Sequence, residues 1–230
     1  MKENNPQLIV MLTHSDMTVS NAEEVFEECR NSSAVYWGFK EKPLSPERVK
    51  NLCLRMKECG KKTGFEGVVY SEKESLETAK LAASCGFDML LGTMFCDSVC
   101  RFCRENGLEY YPFIGKVSGR PSVLEGGIDD MIHEAKECLS RGASGIDLLG
   151  YRYMGNAVEL NRRVCSETDG PVCIAGSVNS YERLAEVKES GAKFFTIGSA
   201  FFEGLFGGTI TEQINKVCAF MSGNKTGTKE

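Results

Sequence analysis

The chain has 230 residues, a length that fits one domain. Hydrophobic residues make up 42% and charged residues 26%, the proportions of an ordinary globular protein, which excludes fibrous and low-complexity classes. A formal charge of −5 gives no electrostatic ground for a nucleic-acid or membrane partner. No apolar run approaches about 18 residues and residues 1–6 are polar, so neither a membrane span nor a signal peptide is expected. Eleven cysteines fall mostly at helix and strand positions, and without a secretory signal they are expected to be reduced thiols of a cytoplasmic protein.

In chain order, a short apolar strand is followed each time by a capped amphipathic helix and a terminal glycine. Strands are expected at 8–13, 35–39, 65–69, 89–91, 110–114, 146–149, 171–175 and 194–197. The first helix runs to Cys29 with Ser20 and Glu23 as a capping box, and the second opens on Ser45 with Pro46 at its first position. Ser71 and Glu74 open the third, and the fourth ends at Asn106. The longest connection, 116–127, precedes a helix to Arg141. The next helix ends at Thr168, another opens at Asn179 with Glu182, and the last covers about 211–221. Gly60, Gly86, Gly107, Gly142, Gly170 and Gly191 are placed to end helices. Eight strand–helix units with no linker between them predict one closed (β/α)8 barrel over 1–223 and a disordered tail over 224–230; a doubly wound open sheet is the rival.

The last two strands each reach a Gly-Ser pair, Gly176-Ser177 and Gly198-Ser199, at the same sheet edge. Glycine there lets the backbone approach an anion, and the following turn offers unpaired N–H groups. This stretch, PVCIAGSVNSYERLAEVKESGAKFFTIGSAFFEG, resembles the end of the ribulose-phosphate-binding barrels, above all the histidine- and tryptophan-pathway sugar-phosphate isomerases. The resemblance implies a substrate phosphate held by Gly176, Ser177, Gly198 and Ser199. One position departs from that pattern, since Ala175 stands where the family usually has a first glycine.

Reacting groups of such barrels sit at the carboxyl ends of the strands. That rule collects His14, Asp16, Lys40, Glu66, Asp147 and Arg152 as catalytic candidates, with Lys116 and Arg120 as anion-binding residues on a connection that serves as a lid. Four cations on one face of an acidic protein point to a substrate with more than one negative group. His14 with Asp16 suits proton transfer near neutral pH. Lys40 has two uses, stabilising an enolate or forming a Schiff base. Cys96, Cys100 and Cys103 have the C-x3-C-x2-C spacing of a radical-SAM cluster, but i, i+4, i+7 is also the buried face of a helix. No other metal set and no cofactor is indicated.

The function expected is an isomerase, epimerase or aldolase-type lyase acting on a small phosphorylated sugar or hydroxy-acid by proton transfer beside a carbonyl. A non-catalytic phospholigand-binding barrel and a radical enzyme are the alternatives. A homo-oligomer is left open.

Overall fold

A period-two alternation of side chains decides how the sheet of this protein is used. The structure, a computed structural model, describes residues 5–223; the stretch 224–230, expected to be a tail, lies outside the described residues. Its first half contains β1 (Gln7–Met11), β2 (Thr13–His14), β3 (Met17–Thr18), α1 (Ala22–Cys29), β4 (Tyr36–Lys40), α2 (Pro46–Glu58), β5 (Lys62–Gly67), α3 (Glu72–Cys85), β6 (Met89–Met94) and α4 (Asp97–Glu105). There follow β7 (Glu109–Phe113), β8 (Lys116–Ser118), β9 (Val123–Glu125), α5 (Ile128–Ser140), β10 (Ile146–Leu148), a 3-10 turn (Gly150–Arg152) and α6 (Ala157–Glu167). The chain ends with β11 (Val172–Ile174), α7 (Tyr181–Ser190), β12 (Phe194–Ile197), α8 (Ser199–Phe202) and α9 (Ile210–Met221).

Strands β1, β12, β11, β10, β7, β6, β5 and β4 close in that order into a barrel, with parallel pairing throughout. Along them Ile9, Met11, Met89, Leu91, Tyr111, Cys173 and Phe194 point inward and pack on one another. Their neighbours Leu8, Val10, Leu90, Tyr110, Ile174 and Phe195 belong instead to the layer between sheet and helices. Each large side chain taken out of water there contributes on the order of 1.5–3 kcal/mol. The inward parity continues to the carboxyl ends, where it delivers Lys40, Glu66, Asp147 and Thr196 rather than apolar residues.

Several helix starts follow the sequence. Ser45 Oγ accepts from the Arg48 amide with Pro46 at the first position, and Ser71 Oγ accepts from the Glu74 amide. Thr209 and Glu212 form a complete capping box, and α9 starts at Ile210, one residue before the expected start. Others differ. The expected Ser20–Glu23 box is not formed: Asn21 precedes α1 without a side-chain cap, and Glu23 instead accepts from Arg48 with contacts of 2.8 and 2.6 Å. Ser180, not Asn179, caps α7, while Asn179 Oδ1 accepts from Arg183 Nη1 at 3.1 Å. Gly86 and Gly191 take the left-handed conformation that closes α3 and α7. Gly170 does not have a positive φ; α6 has ended at Glu167, and Gly170 is instead pressed against the Leu139 side chain.

The third strand starts earlier than expected, at Lys62, because Lys62, Thr63 and Gly64 pair with β4. It also stops earlier, and the Val68 amide donates to the Glu41 carboxylate at 3.3 Å. The first expected strand divides at Leu12 into β1 and the short hairpin β2–β3. The connection 116–127 is not an open loop. Its two arms, β8 and β9, pair antiparallel through Lys116↔Glu125, Val117↔Leu124 and Ser118↔Val123.

Candidate active site at the barrel mouth

Both Gly-Ser turns, together with Asp16, Lys40, Glu66 and Arg152, line one cavity of about 390 Å³ at the carboxyl ends of the strands. Strands β11 and β12 are neighbours, so Gly176-Ser177 and Gly198-Ser199 emerge side by side. Gly176 has φ +110, and a β-carbon there would sit 3.2 Å from both Arg152 Cγ and the Tyr151 amide nitrogen. Gly198 is glycine for a different reason. A β-carbon there would overlap Thr13 Oγ1 and come within 2.8 Å of the Thr13 carbonyl oxygen, so the space expected for an anion is taken by the β1–β2 junction. Ser199 Oγ accepts from the Ser15 amide at 3.2 Å, which ties the second turn to the β2–β3 hairpin. The Ser177, Val178, Ser199 and Ala200 amides donate to no acceptor among the described residues.

The same cavity holds a buried ion cluster. Lys40 Nζ is 2.6 Å from Asp16 Oδ1 and 3.0 Å from Glu66 Oε1, with all three side chains at most 8% exposed. Arg152 Nη2 donates to the same Asp16 Oδ1 at 3.1 Å, and its Nη1 donates to the Ser122 carbonyl at 3.2 Å. Burial alone would favour neutral Lys40, but the Glu66 and Asp16 carboxylates outweigh it and hold the ammonium above its ordinary pKa. That direction opposes the Schiff-base use of Lys40, which requires a free amine at neutral pH.

Asp147 lies deeper, behind the cavity wall, at 1% exposure. Burial first, then the Glu66 carboxylate, push its carboxyl well above the usual carboxylate range, against the opposing effects of Lys40 and of a hydrogen bond from the Gly92 amide. Its Oδ1 has no hydrogen-bond partner among the described residues. Asp147 therefore does not line the cavity, and its link to Glu66 is electrostatic.

Three expected site residues are placed elsewhere. His14 stands outside the cavity, on β2. Its side chain is 44% exposed, with Nε2 3.4 Å from Glu203 Oε1 and Nδ1 3.2 Å from Ser15 Oγ. Strand alternation is the cause, since Thr13 takes the inward position and His14 the outward one. Lys116 is 77% exposed on the hairpin, 3.9 Å from Glu125 Oε2. Arg120 is consumed as a clamp: Nη2 donates to Glu41 Oε1 at 2.6 Å and to the Val68 carbonyl at 3.1 Å, and Nη1 to the Asp16 carbonyl at 3.1 Å. With Lys116 and Arg120 outside and Lys40 and Arg152 paired, the surplus of positive charge expected at the mouth is not there. Two cations face the carboxylates of Asp16, Glu66 and Glu203.

Sequence reasoning missed Thr13, Thr196, Asn179, Ser122 and Glu203, all of which line the cavity. Thr13 and Thr196 follow from carrying the inward parity of their strands one step further. Ser122 and Glu203 have no such signal, because hairpin and α8 geometry bring them in.

The three cysteines of the CDSVCRFC stretch belong to α4, with Cys96 preceding its first residue. Burial raises all three thiols, Cys103 to about 12, opposite to what thiolate ligation needs. Among the described residues no group of three His, Cys, Asp or Glu side chains is arranged to hold a metal ion. Cys100 and Cys103 are buried against neighbouring apolar groups, as helix spacing allowed. No described helix is long and apolar enough to cross a membrane.

No protein-family model and no curated protein matches the sequence. Solved structures match in fold. Orotidine 5'-phosphate decarboxylase from Pyrococcus horikoshii superposes with a TM-score of 0.67 at 13% identity, over 94% of this chain and 99% of that one. The tryptophan synthase A-subunit from Pyrococcus furiosus gives 0.63 at 12%, over 96% and 98%. A glycerol uptake operon antiterminator regulatory protein from Listeria monocytogenes gives 0.59 at 13%, over 86% and 95%. The closed eight-stranded parallel sheet and these superpositions make the chain a single (β/α)8 barrel, the architecture it shares with those proteins.

Proposed function

We propose that this barrel is an enzyme that binds a small phosphorylated sugar or hydroxy-acid and moves a proton beside a carbonyl, as an isomerase, epimerase or aldolase-type lyase does. One observation carries the reading: two adjacent Gly-Ser turns with free amides share a single cavity with a buried carboxylate–ammonium cluster. A second cavity of about 500 Å³ at the opposite end is larger, but its lining has no carboxylate, lysine, arginine or histidine, so it offers no comparable chemistry. The superposed orotidine 5'-phosphate decarboxylase, which carries a phosphorylated compound in its name, lends further support.

In this reading the Ser177, Val178, Ser199 and Ala200 amides and Arg152 take the phosphate. Glu66 accepts the proton next to the carbonyl, and Lys40, kept protonated by its carboxylate neighbours, stabilises the charge that develops on the carbonyl oxygen. The hairpin β8–β9 covers the mouth with Pro121, Ser122 and Val123 and excludes water. His14 has no part in the proton transfer.

The test is proton exchange. In D2O, wild-type protein incubated with a panel of phosphorylated ketoses and aldoses is expected to wash deuterium into the carbon next to the carbonyl of one of them, followed by NMR. Glu66→Gln is expected to slow that exchange about 10²–10⁴-fold while still binding inorganic phosphate. Phosphate binding without exchange on any panel member removes the catalytic reading. It leaves a phospholigand-binding barrel, which the complete pairing of Lys40 with two carboxylates also suits.

A further inference from the structure

In the turn after β11, one arginine takes up two oxygens that an anion would otherwise meet. Of the turn residues 176–179, all of which line the cavity, Ser177 and Asn179 are exposed. Each brings an acceptor that repels an anion, the Ser177 carbonyl oxygen and Asn179 Oδ1. Both accept from a single atom, Arg183 Nη1, the second at 3.1 Å. A guanidinium only donates, so it dictates which end of the Asn179 amide faces it, and the NH2 is the end left over. The planar trans peptide between residues 177 and 178 behaves alike: with its carbonyl turned to Arg183, its N–H lies on the opposite side. The Ser177 amide and hydroxyl and the Asn179 NH2 have no partner among the described residues.

Arg183 is itself held firmly. It stands on α7 one turn beyond Asn179, and its own amide donates to the capping Ser180 Oγ at 3.3 Å. Its guanidinium lies 4.7 Å over the Tyr151 ring, and Tyr151 is fixed in turn by donating to Glu186 Oε2 at 2.7 Å. Arg120 and Arg152 are each paired with a carboxylate, whereas Arg183 makes no ion pair among the described residues. Its charge therefore stands uncancelled beside the turn, although Arg183 does not line the cavity.

We propose that Arg183 is a positioning residue for anion binding at this turn. By engaging the Ser177 carbonyl and Asn179 Oδ1 it leaves the Ser177 amide and the Asn179 NH2 as the groups offered to a phosphate, and it adds a positive charge behind them. It acts through Ser177 and Asn179 without touching the ligand. The inference rests on the phosphate reading above and adds to it a residue outside the cavity.

Inorganic phosphate is the probe, titrated into the intact, nitrogen-15-labelled chain by calorimetry and by NMR. Wild-type protein is expected to show phosphate-induced shifts at the Ser177 amide and the Asn179 NH2. Arg183→Ala is expected to bind phosphate about tenfold or more weakly and to lose those two shifts, a signature that a merely structural arginine would not carry. Arg55→Ala, on α2, removes the same charge from the opposite end of a helix that starts at the mouth, and is expected to leave phosphate affinity unchanged. Equal affinity in wild type and Arg183→Ala overturns the inference while the phosphate reading stands, and so does an equal loss in Arg55→Ala, which would make net charge the cause. Absence of any phosphate response in the wild type overturns the phosphate reading and the inference with it. Should Arg183→Ala fail to fold, the wild-type spectra decide: phosphate binding that leaves Ser177 and Asn179 unmoved overturns the inference.

Discussion

Asp147 shows how burial reassigns a charge that the sequence prints as negative. Its carboxyl is raised well above the ordinary range by desolvation and by Glu66, so the folded chain holds a proton there that the unfolded chain releases at lower pH. More protons bound in the native state means stability falls as pH rises, across the window from an ordinary carboxylate pKa near ~4 up to the raised value. Asp147→Asn removes this titration. Its melting temperature relative to wild type is expected to improve steadily from about pH 4 toward neutrality. A difference independent of pH over that interval rejects the protonated Asp147. Lys40 is also raised, and stability from its pairing is lost only as pH climbs through that value, so the two effects occupy separate windows.

At the scale of elements, the hairpin β8–β9 is a strap and not a free lid. Arg120 binds it to Glu41, to the Val68 carbonyl and to the Asp16 carbonyl. Tyr70 adds a hydrogen bond to the Gly119 carbonyl at 2.9 Å, and Tyr153 one to the Gly126 carbonyl at 2.8 Å. Arg120→Ala deletes the central clamp and leaves Glu41 half-satisfied. We expect a loss of about 1–2 kcal/mol in urea unfolding and faster amide exchange confined to residues 116–125. Unchanged exchange in the hairpin would show that the two tyrosines suffice. The sequence marked this connection as unusual by its length and by the pair Gly126-Gly127, yet its lysine and arginine misled, since a loop cation is as ready to pin the loop as to bind a ligand.

At the scale of the molecule, the site borrows from Thr13 at one end of the chain and Glu203 near the other, and it exists only while β1 pairs with β12 and the barrel is shut. Closure and core formation are then one event. Trp37, the single tryptophan, is fully buried with its ring edge-on to Phe26 at 5.2 Å, so its fluorescence reports the same layer of core that the helices need. Phe65 packs between Phe39 and Phe87 at centroid distances of 5.8 and 4.9 Å. Phe65→Ala is expected to cost about 3–5 kcal/mol, with tryptophan fluorescence and far-UV circular dichroism moving together in one transition. Separate transitions for the two probes contradict a barrel that closes as a unit.

The order of strands and helices, and with it the barrel, was legible because local signals agree: apolar runs of strand length, capping side chains such as Ser45 and Ser71, and helix-closing glycines such as Gly86. The inward parity that brings Lys40, Glu66 and Asp147 together was also present in the alternation of their strands. Partnership was not. Whether Arg120 grips a ligand or Glu41, and whether Gly198 opens space or yields it to Thr13, depend on groups many residues away. Local propensities act over a few residues, whereas charge pairing and steric fit are settled only when the closed sheet brings distant side chains within a few ångströms of one another.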